Sequence, residues 1–340
     1  MTGRLDLEMK FKDQQRNHQI KWRKNNISIK ESGIQNGREY AHIIPKRIWE
    51  ENLWIGIRAE LTKYLVEKGV QAHSGTHNLL SSWVSCANLY FPIRMDQEFR
   101  RLMLGFLQEK IDTRITAIEG VELEFAFEGD LGPAEVLGET GGNRGSGQTS
   151  PDVAILVRAK NGKGIVLTES KYTEHSFYRC SARITKNSER RLSNPDPSRC
   201  MQPASECDFQ SICHQSVWGR KYWDNLELSA HGKKILLRCP AAIGGYQLFR
   251  QQSLAEAISK SGEFSLVVSA VAFDGRNQSL IKSNRTSGVE NFQREWGGLF
   301  EGEALFRTWT HQEWVEYVRQ NGEGKVVDEW MSYINKRYEY

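Results

Sequence analysis

The sequence predicts an α/β fold, on three observations: apolar residues at helical spacing through its first third, alternating or continuous apolar runs in its middle, and a helical, aromatic-rich tail. Its 340 residues suffice for one elaborated domain or two small ones. A hydrophobic content of 39% with ten tryptophans supplies a core. No apolar run reaches the roughly 18 residues of a membrane span, and Met1–Lys10 lacks the apolar stretch of a secretory signal. The expected setting is cytoplasmic. A net charge of +4 does not by itself announce a polyanion partner.

The elements follow in chain order. Lys10, Lys12, Arg16, Lys21, Arg23, Lys24 and Lys30 stand against the single acid Asp13, a segment able to neutralise phosphates or simply to remain solvated. Leu53, Trp54, Ile57, Leu61, Tyr64 and Leu65 share one face of a helix over 50–68. A second helix is expected over 79–91, stopped by Pro92, and a third carries Phe99, Leu102, Met103, Phe106 and Leu107. The period then changes to two, with Val121, Leu123, Phe125 and Phe127 forming a strand. A glycine-rich run from Gly141 to Gly147 follows. Two strands, Asp152 to Arg158 and Gly164 to Lys171, join through Asn161-Gly162. Residues 172–242 read as a polar, cysteine-bearing insertion with a short strand at Lys234 to Arg238. A helix over 245–259, a buried strand over 264–273 and a helical tail complete the chain. The organisation expected is a helical region over 1–115, a core over 116–275 and a helical extension over 276–340 packed on that core.

The hairpin carries the chemistry. If Asn161-Gly162 occupies the two turn positions, Lys160 pairs with Lys163, Asp152 lies opposite Lys171, and Ala154 opposite Glu169. Asp152, Glu169 and Lys171 then project from one face. The flanking residues are apolar, so two carboxylates here repel and are penalised by burial. A divalent cation resolves that repulsion, since hard oxygen ligands suit Mg²⁺ or Mn²⁺. The lysine can orient water or neutralise developing charge. The competing reading is a salt bridge at the margin of a sheet.

Ser150-Pro151-Asp152, followed after sixteen residues by Glu169-Ser170-Lys171, resembles the Pro-Asp…(Asp/Glu)-X-Lys signature of the PD-(D/E)XK nucleases. The longer Glu169-Ser-Lys-Tyr-Thr-Glu174 string, with Leu137-Gly-Glu139 and Arg144-Gly145 upstream, resembles bacterial restriction-endonuclease-like proteins within that superfamily. The resemblance covers about 79–275 and implies a restriction-endonuclease-like α-β-β-β-α-β core. It implies Asp152, Glu169 and the Ser170 carbonyl as ligands of the metal, and Lys171 as the group serving the attacking water. A further acid comes from Glu139 or Glu124, and Gln247 lies near the site from the later helix, where Arg250 and Gln251 share its face. Lys21, Arg23, Lys24 and Arg144 are the residues expected to meet DNA.

Cys180, Cys200, Cys207 and Cys213 crowd the insertion without the tight Cys-x₂-Cys pairs of a zinc knot. They are either a zinc or iron–sulfur staple or unrelated buried thiols. The function expected is a metal-dependent DNA endonuclease of restriction or phage defence, with DNA, a homodimeric copy or defence-system proteins as partners. An exonuclease or repair nuclease of the same fold, a non-catalytic nucleic-acid-binding module and a zinc-stapled interaction protein are the alternatives.

Overall fold

The computed structural model describes residues 2–183 and 193–340, with side chains from residue 11 onward. The Lys10 side chain of the basic segment and residues 184–192 of the insertion fall outside that description. Helix α1 (Thr2–Asn26) precedes α2 (Arg58–Glu67), α3 (Ser82–Tyr90) and α4 (Gln97–Lys110). Five strands then pair in chain order: β1 (Ile115–Leu123), β2 (Val153–Ala159), β3 (Gly162–Lys171), β4 (Leu266–Phe273) and β5 (Leu305–Thr310). The first three are antiparallel neighbours, whereas β3–β4 and β4–β5 run parallel. Helix α5 (Tyr246–Lys260) crosses between β3 and β4, and α6 (His311–Asn321) and α7 (Lys325–Tyr338) follow β5.

Both faces of the sheet are covered, which is why its central strands are apolar throughout. Val153, Ile155, Val157 and Val166 pack toward α2–α4, α6 and α7. Ala154, Ile165, Leu167, Val271 and Phe273 pack toward α5 and the insertion. One core therefore draws on the first, middle and last parts of the chain. The tail tryptophans do more than fill space. The indole N–H groups of Trp314 and Trp330 donate to Leu89 O (3.1 Å) and Asn88 O (2.8 Å), carbonyls at the end of α3 that no further helical turn can satisfy.

Several expectations need correction. The hairpin turn is Lys160-Asn161, not Asn161-Gly162: Ala159 pairs with Gly162 and Arg158 with Lys163. Gly162 has φ 144° and Asn161 is not left-handed, so the turn that needs two left-handed residues does not form. The register moves by two residues. It therefore leaves every side chain on its expected face, because faces alternate with period two.

The strand expected at 121–127 starts at Ile115 and stops at Leu123. Glu124 adopts φ 47°, and Phe125 and Phe127 leave the sheet to pack edge-on at 4.7 Å. Lys234 does not begin a strand. Ser229 Oγ accepts from Gly232 N (2.8 Å), capping a short helix, Ala230–Ile235. The first apolar segment divides into two 3₁₀ turns, Lys46–Asn52 and Ile55–Ile57, ahead of α2. The tail is not wholly helical, since it supplies β5.

The basic segment is a docked helix rather than a solvated arm. Gln15, Gln19, Trp22 and Arg23 are buried. Tyr172, the residue after Lys171, donates through its hydroxyl to Gln15 Oε1 (2.9 Å) and accepts from Gln19 Nε2 (3.2 Å).

Candidate active site

Asp152 stands just before β2, and the same register continued by one residue sets it opposite Glu169 on β3. Glu169 and Lys171 alternate with Ser170, so Asp152, Glu169 and Lys171 all face the α5 side. Asp152 Oδ2 accepts from the Ser170 amide at 2.7 Å, which ties the two strand ends together. Lys171 Nζ donates to Glu169 Oε1 at 2.7 Å, with the lysine 3% and the glutamate 6% exposed. The three form the floor of a pocket of about 240 Å³. Its walls come from Trp83 of α3, the 145–151 loop, and Gln247 and Gln251 of α5.

Of the two upstream acids, the structure brings Glu124 to this floor. Arg144 holds it there: its guanidinium donates to Glu124 O (3.0 Å), Leu123 O (2.7 Å), Tyr64 Oη (2.8 Å) and Glu122 Oε2 (3.1 Å). Gly145, at φ 82°, completes the turn; a Cβ there would lie 2.8 Å from Gln71 O and 3.2 Å from Glu124 Cγ. Arg144 thus commits Nε and Nη2 to the protein itself.

Glu139 is placed otherwise. Its carboxylate accepts from Thr149 N (2.6 Å), Thr149 Oγ1 (2.7 Å), Tyr222 Oη (2.8 Å) and Arg250 Nη2 (2.9 Å). This cage pins the loop that delivers Pro151 and Asp152. It sets Glu139 apart from the expected metal ligands: its carboxylate ties the loop to Arg250 and does not line the pocket over Asp152 and Glu169.

Electrostatics show what the floor lacks. Burial, then repulsion from Asp152 and Glu169, raises the Glu124 pKa well above the carboxylate range. Burial and Glu169 raise Asp152 likewise, against the partial offset of Lys171 and the Ser170 amide. Burial alone would lower Lys171, but Glu169, Glu174 and Asp152 outweigh it and hold the ammonium above its ordinary value. Four carboxylates, those of Glu124, Asp152, Glu169 and Glu174, thus share one ammonium, an acidic oxygen-rich site of the kind a hard divalent cation neutralises. Among the described residues no three His, Cys, Asp or Glu side chains converge as a ready cage.

A pH dependence follows. Between the ordinary carboxylate range and the raised pKa values of Asp152 and Glu124, protons occupy groups that an ion needs ionised. Mg²⁺ affinity is therefore expected to fall as pH drops through those raised values, and to climb as pH rises, by up to tenfold per pH unit for each proton displaced. Calorimetric titration from about pH 5 to about pH 8 checks this; a flat profile would remove these two groups from the ion site.

Elsewhere the expected site residues divide. Gln247 lines the pocket, and its Oε1 is buried without a hydrogen-bond partner, as is Oε1 of Gln251, whose Nε2 is fixed by Ala270 O (2.9 Å). Lys21 and Lys24 are exposed on α1, away from the pocket lining. Arg23 is buried, its guanidinium donating to the carbonyls of Ala41 (2.7 Å), Ile43, Lys30 and Glu31, so it corrects to a structural residue.

All six cysteines are free thiols. Burial, then the neighbouring Cys200, Cys213 and Cys180, raises the Cys239 pKa, and Cys239 N donates to Cys200 O at 2.9 Å. Cys239 therefore gathers with these three, whereas Cys207 sits nearer the surface, its Sγ donating to Pro203 O at 3.3 Å. The sequence gives no spacing signal for Cys239.

Sequence reasoning also missed His311. It is fully buried between Tyr90 Oη (3.1 Å, to Nδ1) and Lys171 O (3.2 Å, to Nε2), and so braces the backbone of β3 from the start of α6. Among the described residues no helix is long and apolar enough to cross a membrane.

One family model, described as REase-ARP, Restriction Endonuclease associating with ARP, matches residues 16–339. No curated protein and no solved structure matches the chain.

Proposed function

The chain belongs to the REase-ARP family, and from that premise we propose that it is a metal-dependent DNA endonuclease of the PD-(D/E)XK type. One observation carries the reading: Asp152, Glu169 and Lys171 stand together at the floor of a pocket whose third carboxylate, Glu124, leaves the site short of positive charge. The residues fit a divalent ion such as Mg²⁺ or Mn²⁺. Asp152 and Glu169 would hold it, with the Ser170 carbonyl and Glu124 as additional oxygens. The ion would supply Lewis-acid polarisation of a phosphodiester and a more acidic water.

The protein's own groups do the rest. Lys171 is held protonated, so it serves as a fixed cation toward charge growing on the phosphate rather than as a base. Gln247 and Gln251, whose amide oxygens have no partner, line the same pocket. The family description names association with ARP, and a protein so designated is the partner we propose alongside DNA, in a defence setting.

The test is cleavage of circular single-stranded and circular duplex DNA by the purified chain with Mg²⁺, Mn²⁺ or EDTA. Metal-dependent linearisation of either circle is the expected result. Degradation confined to linear DNA would replace the endonuclease by an exonuclease. Binding without cleavage under every condition would favour the non-catalytic module.

A further inference from the structure

We propose that the site receives its substrate as a single strand, with the Tyr178 ring stacked on an unpaired base beside the reacting phosphate. The proposal rests on reading the pocket as a phosphodiesterase site and adds the strandedness of its substrate.

Tyr178 is 54% exposed at the mouth of the pocket, with its ring centroid 5.7 Å from Lys171 Nζ. Its backbone lies at φ 57°, a region that non-glycine residues rarely occupy. Two hydrogen bonds keep it there: Tyr178 N donates to Ser176 Oγ (3.3 Å), and Tyr246 N donates to Tyr178 O (3.1 Å). A large ring held in a costly conformation and left half open to solvent is not accounted for by core packing; among the described residues its one ring contact is with Lys171. Its position over the chemistry gives it a functional rationale.

The depth of the floor favours an unpaired strand over a duplex. Glu169 and Lys171 are almost wholly enclosed, and the space above them, about 240 Å³, is of nucleotide size. A duplex is stiff and bends only at a cost in energy. A single strand can fold its backbone into the pocket while its bases turn outward, and every base offers a face for stacking.

A path for that strand continues from the pocket. A second cleft, of about 750 Å³, shares His73, Ser82 and Glu174 with the first. Along it lie exposed Lys12 and half-buried Arg16 of α1, together with Tyr40. Docking α1 on Tyr172 thus sets two cations beside the route leading out from Lys171. Glu39 also lines this cleft, and Arg16 is paired with Asp13, so the attraction is local rather than a broad basic field.

The test uses the full chain and a fluorescent oligonucleotide offered as a single strand, as a blunt duplex of the same sequence and as a fork. Binding is read in EDTA and cleavage in Mg²⁺. The wild type is expected to prefer the single strand and to cut forks in their unpaired arms. Tyr178→Gly removes the ring and suits the positive φ, so thermal stability should hold or rise. Its affinity for the single strand should drop roughly 5- to 150-fold, while Tyr178→Phe retains it. Replacing Lys12 and Arg16 by Ala should lower the log–log salt slope by up to about 1.4 if both meet phosphate. Equal binding and cutting of blunt duplex and single strand would overturn the proposal, as would unchanged single-strand affinity in Tyr178→Gly. If no DNA is cut with any metal, the nuclease reading fails. The EDTA binding series still decides strandedness: Tyr178-dependent preference for the single strand supports it, and absence of that preference rejects it.

Discussion

Asp152→Asn, Glu169→Gln and Lys171→Met are each expected to lower metal-dependent cleavage by at least about 10³-fold, which is about 4 kcal/mol of transition-state stabilisation. The three differ in what else they change. Asn at 152 can still accept from the Ser170 amide (2.7 Å in the native site), so the strand ends stay tied while a negative charge is lost. Gln at 169 likewise keeps an acceptor for Lys171. Both should weaken Mg²⁺ binding. Lys171→Met frees Glu169 Oε1 and removes a cation from the floor, so its Mg²⁺ affinity should be kept or improved even as cleavage is lost. Single-turnover cleavage and calorimetric Mg²⁺ titration of the folded variants separate the roles. Cleavage within tenfold of wild type in any one variant would remove that residue from the site. Loss of Mg²⁺ affinity in Lys171→Met would mean that the lysine organises the carboxylates rather than serving the phosphate.

Much of this candidate centre is legible in the sequence, for a reason that the hairpin makes concrete. The expected register was wrong by two residues, yet Asp152, Glu169 and Lys171 share a face in both registers, because parity alone sets the face. Strand β1 was harder to read. Irregularities between Ile115 and Ala117 and between Ile118 and Gly120 break its alternation, so Ile115, Ile118 and Val121 are buried at intervals of three before Leu123 resumes the period of two. The period-two signal in Phe125 and Phe127 came from aromatic packing outside the sheet. Strand β5 hid for a different reason: most of its residues are only half-buried, so no alternation marks it. Cationic side chains were the least readable. Arg23 and Arg144 have the composition of phosphate contacts but spend their donors on backbone carbonyls, and only the tertiary structure determines how those donors are used. Cys239 and Tyr178 carry no spacing signal, since their positions depend on how the insertion folds back on α5.

The two acids that the sequence left as equals make opposite predictions. Glu139→Ala should unfold the loop before Asp152, because it strips Arg250 of its carboxylate and leaves Tyr222 Oη and both donors of Thr149 without their acceptor. Removing one partner from a buried, hydrogen-bonded pair costs about 3–5 kcal/mol. The Arg250 side chain retains 23% exposure, so water recovers part of its loss and the lower end, about 3 kcal/mol, is expected. Stability should therefore fall first, and cleavage only as Asp152 loses its setting. A double variant with Arg250→Met should recover part of that stability, because it removes the unpaired guanidinium. Glu124→Gln should behave in the reverse sense. It relieves a carboxylate that burial and two neighbouring acids disfavour, so stability should hold or rise while Mg²⁺ affinity and cleavage drop. Urea midpoints beside Mg²⁺ titrations of both single variants test the pair. A stable Glu139→Ala protein that has lost its ion, or an unstable Glu124→Gln protein that keeps it, would exchange the roles of the two glutamates.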